Sequence, residues 1–154
     1  MVDIANFELM KMVQFFYNMD YDDEVKGIEG KDISRLQVHV RMFAIGDKFD
    51  IPVLRSLAAE KYGNRCSLSW NDLEFLGSIR EIYTSTPDSI PELRNVAVSV
   101  ALCKVQDMQK SKDVKEVYEG LLKEVPEFAR HLLSEYVNYG ECDSSRKKRM
   151  RIRA

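Results

Sequence analysis

An all-α fold follows from three observations. Apolar residues recur at three- and four-residue spacing along most of the chain. The segment 36–62, LQVHVRMFAIGDKFDIPVLRSLAAEKY, reads as two helices meeting at a corner. Prolines and short polar stretches divide the remainder into pieces of helical length joined by loops of ordinary size. The reading is about seven helices in a compact irregular bundle, with Val2, Asp3 and Ile4 either a short strand remnant or a lead-in.

The first helix starts at Phe7, with Asn6 as its N-cap. Leu9, Met12, Val13 and Phe16 form one stripe, widened by Phe7, Met10 and Tyr17. A helix apolar nearly all round is a central helix or a contact helix, and the sequence favours the core. Residues 18–31 are a loop holding Asp20, Asp22, Asp23 and Glu24. An EF-hand needs alternating oxygen ligands, a central Gly and a closing bidentate Glu, and NMDYDDEVKGIEG lacks that register. A solvated acidic loop is expected instead.

In the next helix Leu36, Val40, Phe43 and Ala44 make one row and Val38, Met42 and Ile45 a second, so it packs on two sides. Asp50, Ile51 and Pro52 break and restart the chain, with Asp50 as cap and Pro52 in the first turn. Val53, Leu54, Leu57, Ala58 and Lys61 carry the second arm, and Gly63 is expected to stop it. Ser69 to Asp72 resembles a capping box ahead of Leu73, Leu76, Ile79 and Tyr83. TSTPDSIP breaks the chain, and Pro91 opens a helix over Val96, Val100 and Cys103. Its VAVSVAL run alternates like a strand, but the pattern continues too long and ends in a helix-friendly polar stretch. Ser111 caps a helix with Val114, Val117, Tyr118, Leu121, Leu122 and Val125 inward. Pro126 ends or kinks it, and Phe128, Leu132, Leu133 and Tyr136 lead on to Gly140.

Composition excludes several function classes. With 45% hydrophobic and 31% charged residues in 154, this is an ordinary globular chain. The formal net charge is −2, but Arg146, Lys147, Lys148, Arg149, Arg151 and Arg153 contribute +6, leaving −8 on residues 1–145. An acidic body with a basic end is not a general nucleic-acid footprint. Cys66, Cys103 and Cys142 are odd in number, widely spaced and without a C-x-x-C pair, so free thiols rather than zinc are expected. No signal peptide and no membrane-length apolar run is visible, and a cytoplasmic or nuclear location is expected. Neither P-loop nor dinucleotide glycine pattern occurs. His39 lies between two apolar rows as a packed core residue, His131 on a helix flank, and no cysteine or serine carries a nucleophile motif. No enzyme, cofactor, metal or small-molecule substrate is expected.

The residues H-V-x-x-x-A-x-x-D-K-F-x-I-x-x-L-x-x-x-A, beginning at His39, give the chain a resemblance. It is similar to the helical half of BTB/POZ domains, most of all a lineage common in filamentous fungi. Phe7, Glu8, Met10, Phe15, Tyr17 and Tyr21 match the lineage's first helix in this half. His39, Val40, Ile45, Asp47, Lys48, Phe49, Ile51, Leu54, Ala58, Lys61 and Tyr62 match the following pair. Phe43, Gly46 and Asn18 depart from it. Trp70, Phe75, Ile79, Tyr83, Thr84, Pro87, Leu93, Arg94, Pro126, Glu127 and Phe128 resemble its C-terminal extension. The resemblance implies a helical half over 1–64 and a helical extension packed on it over 65–140; residues 141–154, with almost no apolar content, read as a disordered basic tail. The front half of a BTB domain, with its dimerisation helix, is not in this sequence, so the chain looks like such a domain beginning halfway. Helices that normally pack on that half would expose apolar surface.

The resemblance implies a non-catalytic protein-interaction module, an adaptor that self-associates or joins a cullin-type ubiquitin ligase. The implied partner-binding residues are Phe7, Met10, Gln14, Tyr17 and Tyr21. The alternatives are a truncated or decayed fragment without adaptor activity, or a nuclear protein whose basic end directs import or contacts nucleic acid. Lys147, Lys148, Arg149 and Arg151 form the import-signal candidate. No aromatic residue interleaves them, which argues against stacking on single strands.

Overall fold

The computed structural model describes the backbone of residues 4–25 and 33–152 and the side chains of residues 6–25 and 33–139. The described residues hold seven helices and no strand: α1 (Ile4–Asn18), α2 (Arg35–Lys48), α3 (Pro52–Leu68), α4 (Asp72–Ser85), α5 (Glu92–Met108), α6 (Lys112–Glu124) and α7 (Pro126–Ile152). Val2 and Asp3 lie outside the described residues, and Ile4 already belongs to α1. Asn6 is therefore inside the helix and is not its cap. The chain divides into two units, Met1–Ala97 and Val98–Ala154, with the division inside α5. The boundary expected at 64/65 falls within the unbroken α3.

The first unit is arranged around α2, which packs against α1, α3 and α4. Its buried residues include Leu36, Val38, Val40, Met42, Phe43 and Ile45, the two rows read from the sequence. Ser34 and Gln37 form a reciprocal capping box at its start, Ser34 Oγ accepting from the Gln37 amide at 3.2 Å and Gln37 Oε1 from the Ser34 amide at 2.9 Å. Glu74 of α4 adds an acceptor for the Leu36 amide at 3.2 Å, placing a carboxylate at the positive end of the α2 dipole. Arg41 of α2 meets Glu81 of α4 at 2.7 Å, and Tyr62 of α3 shares a buried 2.7 Å hydrogen bond with Ser78 of α4.

The corner between α2 and α3 is a Schellman turn. The Ile51 amide donates to the Gly46 carbonyl at 2.7 Å and the Asp50 amide to the Asp47 carbonyl at 3.1 Å. Asp50 sits at φ 53°, the left-handed position, and so ends α2 rather than capping α3. Ile51 is the N-cap of α3, without a side-chain bond, and Pro52 takes the first turn as expected. Gly46 is required by close approach, because a Cβ there would lie 3.0 Å from the Arg55 backbone nitrogen. Gly63 does not end α3. It lies in mid-helix, where a Cβ would come within 3.3 Å of Val96 Cγ1. The cap of α4 is Asn71, which accepts from the Glu74 amide, so the box expected at Ser69 is absent. Beyond α4, Arg94 is 3% exposed, bonds to Thr86 and Asp88 and lies 4.6 Å over the Tyr83 ring, which fixes the TSTPDSIP break.

In the second unit α6 packs against α7. Val114, Tyr118 and Leu121 are buried on α6 and Phe128 and Leu132 on α7. Val117, read as inward, is exposed, as are Leu133 and Tyr136 on α7. Pro126 ends α6 and opens α7, whose backbone continues helical past Gly140 to Ile152 where an unstructured tail was expected. Lys, Arg, Met and Glu are good helix formers, and residues 141–152 are rich in them.

The corner makes a paired prediction. Asp50→Gly removes the left-handed penalty and should stabilise by about 0.5–1 kcal/mol. Gly46→Ala should destabilise by about 1–3 kcal/mol through the Arg55 clash. Urea denaturation of both variants checks the two signs.

Candidate interaction surface

The acidic loop ties three helices together. Asp22 bonds Lys11 and accepts from Gln14 Nε2 at 2.7 Å, both on α1. Asp20 meets Lys61 of α3 at 2.6 Å. Asp23 faces Arg35 and His39 of α2 and Arg65 of α3 at 3.6–3.7 Å. Between them Tyr21 is 2% exposed, with its hydroxyl 2.9 Å from His39 Nδ1 and its carbonyl accepting from Lys61 Nζ at 2.9 Å. The loop expected to be solvated is thus a clasp around a buried tyrosine.

The charges of the clasp shift with their surroundings. The Lys11 bond, followed by that from Gln14, holds the Asp22 carboxyl down at about 2. The Lys61 hydrogen bond likewise lowers Asp20. Burial lowers the His39 imidazole from 6.5 to about 4, with Asp23 acting upwards and Lys61 and Arg65 downwards. His39 is therefore a neutral, hydrogen-bonded core residue, as its sequence position predicts. Burial pushes the Cys66 thiol up to about 12, which makes it a poor nucleophile.

This clasp sets the rotation of α1. Its inner face is Phe7, Lys11 and Phe15, spaced by four residues and 2–5% exposed. Leu9, Met10, Val13, Phe16 and Tyr17 are 44–86% exposed. At 100° per residue they occupy a continuous arc of about 120° on the opposite side. Both charged side chains of the described part of α1, Glu8 and Lys11, lie off that arc. Burial raises the Glu8 carboxyl, consistent with its place on the α2 side near Arg41. The helix is apolar on two sides, with Lys11 buried between Phe7 and Phe15 and a second apolar stripe in solvent.

Of the expected partner-binding residues, Met10 and Tyr17 lie on this arc. Phe7 and Tyr21 do not: they are core residues at 3% and 2% exposure. Gln14 is half-buried and engaged with Asp22. Leu9, Val13 and Phe16 belong to the surface instead, although their spacing reads as an inward stripe. Lys147, Lys148, Arg149 and Arg151 are on the α7 backbone, and their side chains lie outside the described residues.

The other places for chemistry are poor. A cavity of about 480 Å³ near the start of α2 is lined by Glu24, Arg35, Arg65 and Glu74, with both charges mixed. The α2 amides beside it are already bonded by Ser34 and Glu74. Among the described residues no group of three His, Cys, Asp or Glu could hold a metal, and no helix is long and apolar enough to cross a membrane. No protein-family model, curated protein or solved structure matches the chain.

Two outcomes test the clasp. Asp22→Ala strands a buried ammonium and should destabilise by about 2 kcal/mol or more, whereas adding Lys11→Met to it removes that ammonium as well and should suppress most of the loss. Urea titration of the two single variants and the double variant reads the coupling. For His39, the unfolded chain binds the extra proton between pH 6.5 and about 4. Stability should therefore fall as pH drops through that window, by up to about 1.4 kcal/mol per pH unit. Denaturation midpoints at pH 7, 6 and 5 should show a slope that is shallower in His39→Gln.

Proposed function

We propose that the chain is a non-catalytic protein-interaction module of BTB/POZ type, and that it docks its protein partner on the outer face of α1. The carrying observation is the uncharged apolar arc of Leu9, Met10, Val13, Phe16 and Tyr17, exposed on a helix whose charge is turned inward. Soluble chains seldom leave a contiguous apolar patch of this size uncovered, and such patches serve association. Aromatic and Met side chains are the types enriched where interfaces bind most strongly. The resemblance of the Phe7 helix and of the His39 to Tyr62 hairpin to BTB domains supports the same reading. A cullin is one partner class that this resemblance implies, with Tyr17 at the contact position.

Capture of the tagged full chain from its native cells tests this reading. Stoichiometric partners, further copies of the chain included, should be retained by the wild type and by Leu133→Glu, an exposed substitution in the other unit. They should be lost with Phe16→Glu. Equal recovery with Phe16→Glu, by mass spectrometry and with unchanged circular dichroism, would remove α1 as the docking surface.

A further inference from the structure

Resting on the reading of α1 as a docking surface, we infer that its occupant is the same face of a second copy, two α1 helices crossing antiparallel on a two-fold axis near Val13. The first argument is register. Leu9, Val13 and Phe16 are spaced by four and three residues, the seam of a helix pair, and Met10 and Tyr17 flank it one heptad apart. Val13, the smallest of the five, is central, with larger side chains on both sides. Antiparallel packing about it sets Val13 against its own equivalent, Met10 against Phe16 of the second copy and Leu9 against Tyr17 of the second copy. The Met–aromatic pairing is favourable in its own right.

The second argument is charge. In a two-fold interface each surface meets itself, so a face of one net sign meets that same sign. Residues 1–145 carry a net −8, and most surfaces of the body would repel their copies. The α1 arc contains no Asp, Glu, Lys or Arg and escapes this repulsion.

The third argument is area. At 44–86% exposure the five side chains present roughly 600 Å², given side chains of about 150–250 Å² each. Two such faces bury about 1,200 Å², the lower end of what specific interfaces need. The pair should therefore dissociate on dilution, dimeric near 100 µM and largely monomeric near 1 µM as an order-of-magnitude expectation.

Sedimentation velocity of the full chain across that range tests the inference. The wild type should shift from monomer to dimer. Val13→Glu should remain monomeric with unchanged circular dichroism, because it sets two carboxylates face to face. Val13→Lys should do the same, and an equimolar mixture of the two should regain the dimer, since opposite charges then meet on the axis. A monomeric wild type at 100 µM, a dimer that survives Val13→Glu, or a mixture that stays monomeric would each overturn it. A monomeric wild type whose capture of other proteins still requires Phe16 would dispose of the second copy and leave α1 docking intact. Loss of that Phe16 dependence would dispose of α1 docking itself.

Discussion

The ion pair between Lys11 and Asp22 is what allows α1 to face as it does. Turning α1 over would exchange buried Phe7 and Phe15 for Leu9 and Phe16, and each large apolar side chain is worth about 1.5–3 kcal/mol on burial. The two orientations are therefore close in apolar area. The charge is not balanced in the same way. Lys11 is 5% exposed, and a buried ammonium without its carboxylate is destabilised by several kcal/mol. Asp22 lies only eleven residues on and is held against α1 by Gln14 as well. With that pair made, the charged side is the inner side, and the apolar stripe has no other place than solvent.

The clasp extends this constraint to the other helices. Tyr21 fills the space between α2 and α3, and its hydroxyl bonds His39, which burial keeps neutral. Asp20 and Asp23 are partly exposed, so each of their ion pairs is weak alone. Their effect is positional: they fix the loop whose middle residue is packed and whose next residue neutralises Lys11. The α2–α3 corner is independent of this. It rests on a left-handed Asp50 and on Gly46 allowing α3 to start against α2.

Much of this was legible in the sequence, and the exceptions share one cause. The rows of α2, the proline start of α3, the break at Pro126 and the core position of His39 are local or periodic signals. The Ser34-x-x-Gln37 box is an equally local signal, at the start of α2. By contrast, Gly63 reads as a stop because Gly after a periodic run usually is one; the Val96 side chain that packs closely against it comes from far along the chain. The acidic loop reads as solvated because its cations, Lys11, Lys61, Arg35 and Arg65, are scattered over three helices. The same applies to α1. Periodicity finds a stripe but not which way it points, and the deciding carboxylate lies outside the helix. Phe7 and Tyr21 were thus expected at the surface, and Leu9, Val13 and Phe16 inside.

The orientation of α1 is open to direct chemical measurement. Single cysteines at positions 7, 10, 15 and 16, with Cys103 and Cys142 replaced by serine, can be labelled with a thiol reagent below 1 µM in native buffer. Cys66 is buried with its thiol pushed up to about 12 and contributes little signal. Positions 10 and 16 should label at nearly the rate of the unfolded chain, and positions 7 and 15 at least about 100-fold more slowly, limited by opening of the clasp. Fast labelling at 7 and 15 with protection at 10 and 16 would place the apolar stripe inside and contradict the account.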